Sequence, residues 1–248
     1  MESKEKIEVG YTNISYKKGD LFIQEKTYNG FNHRLDLSEL KKLDFVPELI
    51  SDSEKEVTWK WIETQQLELS DENIKKIAHN FKKLHNSGCN FPKNNLSERI
   101  KKYLKIINSK NIKIDEINNF YSKVNLILSN MKGNAPLHND IYQSNLLWGV
   151  DDKMYFVDWE YASMGDKHFD LAYFICAGHL SPEREKLLLE TYEDYQEEYI
   201  LQHKIVVYYL IILWVNAQPI KHFDDKPYIQ KMLKAEEFFQ KRKKEKFQ

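Results

Sequence analysis

Residues 136–172, PLHNDIYQSNLLWGVDDKMYFVDWEYASMGDKHFDLA, constrain this chain more than any other stretch. Within them the apolar run LLW follows Asn145, a Gly/Asp-rich GVDDK comes next, and MYFV leads into Asp158. Two short apolar segments around such a turn predict a β-hairpin. A hairpin returns its two ends to one place. Asn145 enters the first strand and Asp158 leaves the second, so the two side chains are expected to meet. Asp140 stands on the incoming loop and is expected to join them.

A lone Asp or Asn beside a turn is ordinary. Three oxygen-bearing side chains converging between apolar flanks are not. An Asp can orient and deprotonate a hydroxyl, while Asn and Asp hold magnesium against nucleotide phosphates, so the set suits phosphoryl transfer. Rival chemistries lack their motifs. The sequence has no alternating calcium loop, no H-E-x-x-H, no G-x-S-x-G and no His/Cys cluster suited to zinc.

The segment HNDIYQSN from His138 to Asn145, then VDWEYA from Val157 to Ala162, then Gly165-Asp166 and FDLA from Phe169 to Ala172, resembles the choline/ethanolamine kinase family. That family lies within the aminoglycoside-phosphotransferase-like, protein-kinase-like group, and the second motif is worded most like bacterial choline kinases. The resemblance implies an α+β, two-lobed protein-kinase-like fold. Residues 1–66 would form a small antiparallel-sheet lobe covering the nucleotide. Residues 67–248 would form a larger, mainly helical lobe holding the catalytic and acceptor-binding groups. It further implies a Mg²⁺-dependent kinase using ATP to phosphorylate a small amine-bearing alcohol, choline first. Ethanolamine, thiamine or an amino sugar are the alternatives within the class. A degenerate kinase fold serving as a nucleotide-binding or scaffold protein is the alternative outside it.

Composition sets the outer limits. An apolar share of 42% with 13% aromatics excludes a wholly disordered chain. Lys and Arg number 37 against 38 acids, a balance with no global steering toward nucleic acid. Cys89 and Cys176 lack metal or framework spacing, and the charged start has no apolar core, so a reduced, cytoplasmic setting is expected. The apolar run at residues 205–215 is short for a bilayer span and reads as a buried helix, with no stable membrane insertion. Oligomeric state is not legible.

The start of the chain reads as strand, turn, strand. Tyr11, Thr12 and Asn13 lie in a polar bend whose backbone N–H groups could hold anions, and the resemblance places such a bend above the nucleotide. Lys26 is the candidate cation for the phosphates. The family's usual basic residue is replaced by Gln24, so either Lys26 acts two residues later or the alignment slips. Asp36 and Glu39 compete as the acidic partner of that cation. Trp61, Ile62 and Glu63 fall where a hinge would pass the adenine. Beyond them Ser70 starts a helix whose Ile74, Ile77, Phe81 and Leu84 share one face.

In this scheme Asp140 is the base-like residue, and Asn145 and Asp158 hold the metal. Glu160 contacts a second ion or faces the substrate cation. A quaternary ammonium favours aromatic faces, which nominates Tyr161, Trp214 and, more distantly, Tyr228. Trp214 sits where the resemblance puts a helix lining the choline pocket, with Ile211 in place of a second aromatic. His138 is expected to order its loop by hydrogen bonding. Asp170, by the resemblance, braces the catalytic loop. His85 is expected to cap or pack.

Overall fold

The computed structural model describes residues 3–7 and 13–247. It has two lobes. The smaller is a five-stranded antiparallel sheet made of β1 (Glu5–Ile7), β2 (Ile14–Lys18), β3 (Leu21–Glu25), β4 (Leu49–Asp52) and β5 (Glu56–Lys60), in the order β1-β2-β3-β5-β4. The β2–β3 turn is made at Gly19, whose φ of 54° lies in the left-handed region that glycine enters at little cost. Between β3 and β4 runs a long link containing a short 3₁₀ helix, Leu37–Lys42, capped by the Asp36 side chain on Ser38 N–H.

The chain then crosses to the larger lobe through β6 (Thr64–Gln65). This short strand pairs not with the first sheet but with the predicted hairpin, β8 (Leu146–Gly149) and β9 (Met154–Phe156). A second small ladder joins β7 (Ala135–Leu137) to β10 (Ser163–Gly165). Seven helices complete the lobe: α1 (Asp71–His85), α2 (Leu96–Ser109), α3 (Asp115–Asn130), α4 (Lys167–Ala177), α5 (Pro182–Tyr192), α6 (Glu197–Ala217) and α7 (Lys226–Phe247).

α1 follows its sequence signals. The Ser70 hydroxyl accepts from Asn73 N–H at 3.3 Å, and the chain leaves the helix through Asn86 and a left-handed Gly88. Its Ile74, Ile77, Phe81 and Leu84 are fully buried. They pack with α5, the hairpin and the link residues Leu35, Leu40, Leu43 and Phe45 in one core cluster. A second cluster gathers α2, α3, α6 and α7. α4 lies between the two and is buried on every side from His168 to Cys176. A helix apolar all round needs partners on both faces, and α4 has them.

The expectation for residues 205–215 needs correcting in length. The helix they belong to runs 21 residues, enough to cross a membrane by length and composition alone. It does not face outward, however: 78% of its most apolar window is buried inside the fold. Cys89 and Cys176 are free and buried.

Phe156 ties the hairpin to this framework. Its ring lies 5.1 Å from Phe45, 5.4 Å from Phe81 and 6.4 Å from His138, all edge-on, and its N–H donates to Phe45 O at 2.8 Å. Phe156→Ala is expected to cost about 3–5 kcal/mol, the range for emptying a buried aromatic site. Chemical denaturation checks it: the midpoint falls while the denaturant slope holds.

Candidate active site

The site lies in a cavity of about 700 Å³ lined by both lobes. That volume suits a nucleotide together with a small acceptor. Asp140, Asn145 and Asp158 all face it. The hairpin closes as its sequence implies: Leu146 opposes Phe156, and one step outward Val157 N–H donates to Asn145 O at 3.1 Å. That bond sets the residue before Asp158 against Asn145.

Asp140 is anchored from two sides. The Tyr173 hydroxyl on α4 donates to its Oδ1, and Asn145 Nδ2 approaches its Oδ2 at 3.5 Å. The same amide donates to Asp140 backbone O at 2.8 Å. With its nitrogen so engaged, Asn145 turns its carbonyl oxygen the other way, as a metal ligand must. Burial pushes the Asp140 carboxyl up to about 7, while the Tyr173 hydroxyl and the charge of Arg99 pull against that rise.

Asp158 is half-buried in the cavity wall with little compensation. Among the described residues its carboxylate accepts one hydrogen bond, from Gln24 Nε2 at 3.5 Å. Burial, then the nearby charges of Glu160 and Asp140, hold its carboxyl well above the usual range. A half-buried carboxylate with two like charges nearby requires a cation or a proton. The donor set therefore fits magnesium: one carboxylate and one amide oxygen, hard ligands that leave room for phosphates and water. Among the described residues no cluster of three or more His, Cys, Asp or Glu side chains could hold an ion by itself.

The loop that presents Asp140 is fixed by Asp170. Its two carboxylate oxygens accept His138 N–H at 2.8 Å and Asn139 N–H at 2.7 Å. His85 Nε2 adds a third contact at 3.2 Å and passes the network on to the Tyr192 hydroxyl through Nδ1 at 2.8 Å. His85 is thus a buried link in the brace, not merely a packed helix end. His138 Nε2 lies 3.0 Å from Val157 O, joining the loop to the hairpin. Burial lowers its pKa to about 4, so the ring is neutral at pH 7 and Nε2 is the donor. Asn139 (φ 68°) and Asp158 (φ 65°) both adopt left-handed backbone, which Asn and Asp tolerate better than other side chains.

Other expected residues are placed differently. Tyr11 and Thr12 lie outside the described residues. Asn13 lines the cavity, but its side chain is engaged, with Nδ2 donating to Glu160 at 3.1 Å and Oδ1 accepting Thr27 N–H at 3.0 Å. Lys26 also lines the cavity, yet its ammonium is bound at 2.5 Å to Asp52 of β4. Neither Asp36 nor Glu39 partners it, because Asp36 caps the 3₁₀ helix and Glu39 pairs with Lys42. Trp61 and Ile62 line the cavity; the Glu63 side chain instead reaches toward Lys17 at 3.5 Å.

Glu160 is 5% exposed, and its Oε2 gathers Asn13 at 3.1 Å, Asn32 at 2.8 Å and His33 at 3.2 Å. Its carboxylate is thereby spent largely on docking the link between β3 and β4 onto the larger lobe. Tyr161 has the Arg99 guanidinium 3.9 Å above its ring and its hydroxyl bonded by Asn29 at 2.7 Å, so one aromatic face is already covered. Trp214 and Tyr228 line the cavity with Phe223 between them. Trp214 stacks on Phe223 at 6.1 Å, and Phe223 leans on Tyr228 at 5.3 Å.

Sequence reasoning passed over Arg99, Tyr142, Tyr173 and Phe223, all in the cavity wall. Tyr173 had a signal, since it stands one helical turn after Phe169 in the motif-bearing stretch. Arg99 had none, because ERIKKYLK reads as an amphipathic surface helix.

Two substitutions test this geometry. Asp170→Ala leaves two loop N–H groups and His85 without their acceptor and is expected to cost about 2–4 kcal/mol, lowering both melting temperature and rate. A normal melt with only a rate loss would assign Asp170 to the chemistry instead. Asp158→Asn keeps the left-handed backbone but removes one of three crowded negative charges. It is expected to raise the melting temperature of the metal-free protein by about 2–4 °C at pH 8, equivalent to ~1 kcal/mol, while abolishing activity.

Comparison with known proteins gives this geometry its context. The family model for choline/ethanolamine kinase matches residues 36–241. A LicA homolog of Mycoplasma capricolum is 42% identical, the match covering 93% of this chain and 96% of that protein. A LicA homolog of Metamycoplasma hominis is also 42% identical, over 94% and 96%. The crystal structure of choline kinase LicA from Streptococcus pneumoniae superposes with a TM-score of 0.73 at 20% identity, covering 96% of this chain and 93% of that one, and so shares the fold. With the family model spanning both the braced loop and the hairpin, the chain belongs to the choline/ethanolamine kinase family.

Proposed function

We propose that this protein transfers the γ-phosphoryl group of ATP to the hydroxyl of a small amino alcohol, choline first, giving phosphocholine and ADP. One observation carries the reading. A single cavity holds a braced Asp140, Asn145 and Asp158 at the two ends of the hairpin, and a wall of Trp214, Phe223 and Tyr228.

Each part has a task. The aromatic wall receives the ammonium; a quaternary nitrogen has no N–H to donate and gains from ring faces. Asp140 accepts the hydroxyl hydrogen and orients the oxygen toward phosphorus. As the new O–P bond forms, the bond from phosphorus to the bridging oxygen of ADP breaks, and the hydroxyl proton passes to Asp140. Tyr173 and Asn145 hold that carboxylate in place. Asn145 and Asp158 are the residues that would hold magnesium, which when bound supplies neutralising charge at the phosphate oxygens. Trp61 and Ile62 serve the adenine end.

Ethanolamine is the second reading, favoured by Ile211 in the wall and by the covered face of Tyr161. Each reduces the aromatic surface open to a quaternary nitrogen.

A magnesium/ATP assay on choline, ethanolamine, thiamine and aminoglycosides decides among acceptors, with product identified directly. Choline is expected to give the highest kcat/KM. Asp140→Asn is expected to lose about 10²–10⁴-fold in kcat, the usual worth of a positioned base. Undiminished activity would remove Asp140 from its role. Binding of ATP with no transfer to any alcohol would favour a degenerate kinase. For the wild type, the rate should fall as pH drops, because protonated Asp140 cannot accept the hydroxyl hydrogen. The apparent pKa of that limb should lie at or below about 7, since the acceptor's cation stabilises the ionised carboxylate.

A further inference from the structure

Arg99 on α2 is a buried cation that the scheme above leaves without a task. It is 7% exposed, yet its guanidinium forms no ion pair among the described residues. Its Nε donates to the Tyr103 hydroxyl at 3.0 Å, and its plane lies 3.9 Å from the Tyr161 ring centroid. Those two contacts fix the group and leave its terminal amino groups with no acceptor among the described residues. The lysines lining the cavity are both matched among the described residues: Lys26 by Asp52 and Lys60 by Glu48.

A guanidinium that cannot shed its proton is costly to bury without an anion. Asp140 is near enough to feel its charge but makes no hydrogen bond to it. A positive charge at this point repels an ammonium, so it does not serve that end of the acceptor. The wall that would take the ammonium is uncharged, made of Leu210, Ile211, Trp214, Phe223 and Tyr228. The cavity is therefore polarised, with a fixed donor fork near Asp140 and uncharged aromatic surface on α6, α7 and their connection.

We propose that Arg99 binds the transferred phosphoryl group as it arrives on the acceptor oxygen, holding the phosphate monoester of the product beside Asp140. A planar fork matches two phosphate oxygens, which a lysine cannot do. The bond made is acceptor O–P and the bond broken is P–O to ADP, with the proton on Asp140; Arg99 exchanges no proton. It supplies, on the acceptor side, a phosphate-facing cation that Gln24 cannot supply from β3. The assignment rests on the phosphotransferase reading above.

Titration calorimetry separates the two. Choline, phosphocholine and inorganic phosphate are titrated into the wild type, Arg99→Gln and Arg99→Lys, with melting curves for each. Arg99→Gln is expected to weaken phosphocholine by about 10- to 100-fold, the worth of a charge-assisted bidentate contact, and to leave choline equal or tighter. Arg99→Lys, the variant that decides if the Gln form does not fold, should weaken phosphocholine several-fold at unchanged choline affinity. Phosphocholine bound equally by wild type and variants overturns the proposal, as does a wild type that binds neither phosphocholine nor phosphate. A shift in the acid limb of the rate profile with unchanged phosphocholine affinity also overturns it, because Arg99 then only balances Asp140. If the wild type phosphorylates no amino alcohol, the functional reading fails, while Arg99-dependent phosphate binding in the titration still upholds the phosphate assignment.

Discussion

Two N–H bonds to one buried carboxylate hold the site together. Asp170 comes from the first turn of α4, and its acceptors fix successive backbone N–H groups of His138 and Asn139. Asp140 follows at once, so its direction is inherited from that grip. Because Asp170 is fully buried, its carboxylate has no water to exchange with and the geometry stays put. His138 then carries the constraint to Val157 O, and Val157 N–H carries it to Asn145 O. Asp140, Asn145 and the residue before Asp158 are positioned by one continuous chain of hydrogen bonds.

The backbone at both ends of that chain is unusual. Asn139 and Asp158 take left-handed conformations of a kind that accumulates at functional sites when the surroundings over-determine them. Asn139 is over-determined here. The Asn139 side chain donates to Tyr161 O at 3.0 Å and to the Ser163 hydroxyl at 2.8 Å, and its N–H is held by Asp170. Asp158 sits between the end of β9 and the 3₁₀ turn Trp159–Tyr161. In each case the reversal of φ points a functional carboxylate, Asp140 or Asp158, into the cavity rather than along the strand.

What was legible in the sequence was what local pattern decides. The hairpin followed from two apolar runs and a Gly/Asp turn, and α1 from its cap and its apolar spacing. Asn145 and Asp158 line one cavity because a hairpin returns its two ends to the same side. Long-range pairing was not legible. Lys26 found Asp52 across the sheet, not an acid of the 36–39 segment, because the edge strand β4 brings that carboxylate alongside. Glu160 was drawn to Asn13, Asn32 and His33, which precede it by more than a hundred residues. Arg99 was invisible because a basic residue in a lysine-rich amphipathic helix looks solvated until the opposite wall is known.

Like charges are also crowded in the cavity. Asp140 and Asp158 are half-buried, Glu160 is buried, and their charges act on one another. The sheet lobe does not neutralise Asp158; it offers Gln24, a neutral amide at 3.5 Å. A lysine or arginine there would satisfy Asp158 in the empty protein and weaken its hold on a metal. Leaving Asp158 uncompensated makes the resting site less stable and cation binding correspondingly more favourable. Arg99 holds the reciprocal position, a buried cation with no ion-pair partner among the described residues. Under the proposed function, magnesium held by Asp158 would supply the positive charge it lacks, and a phosphate at Arg99 the negative one.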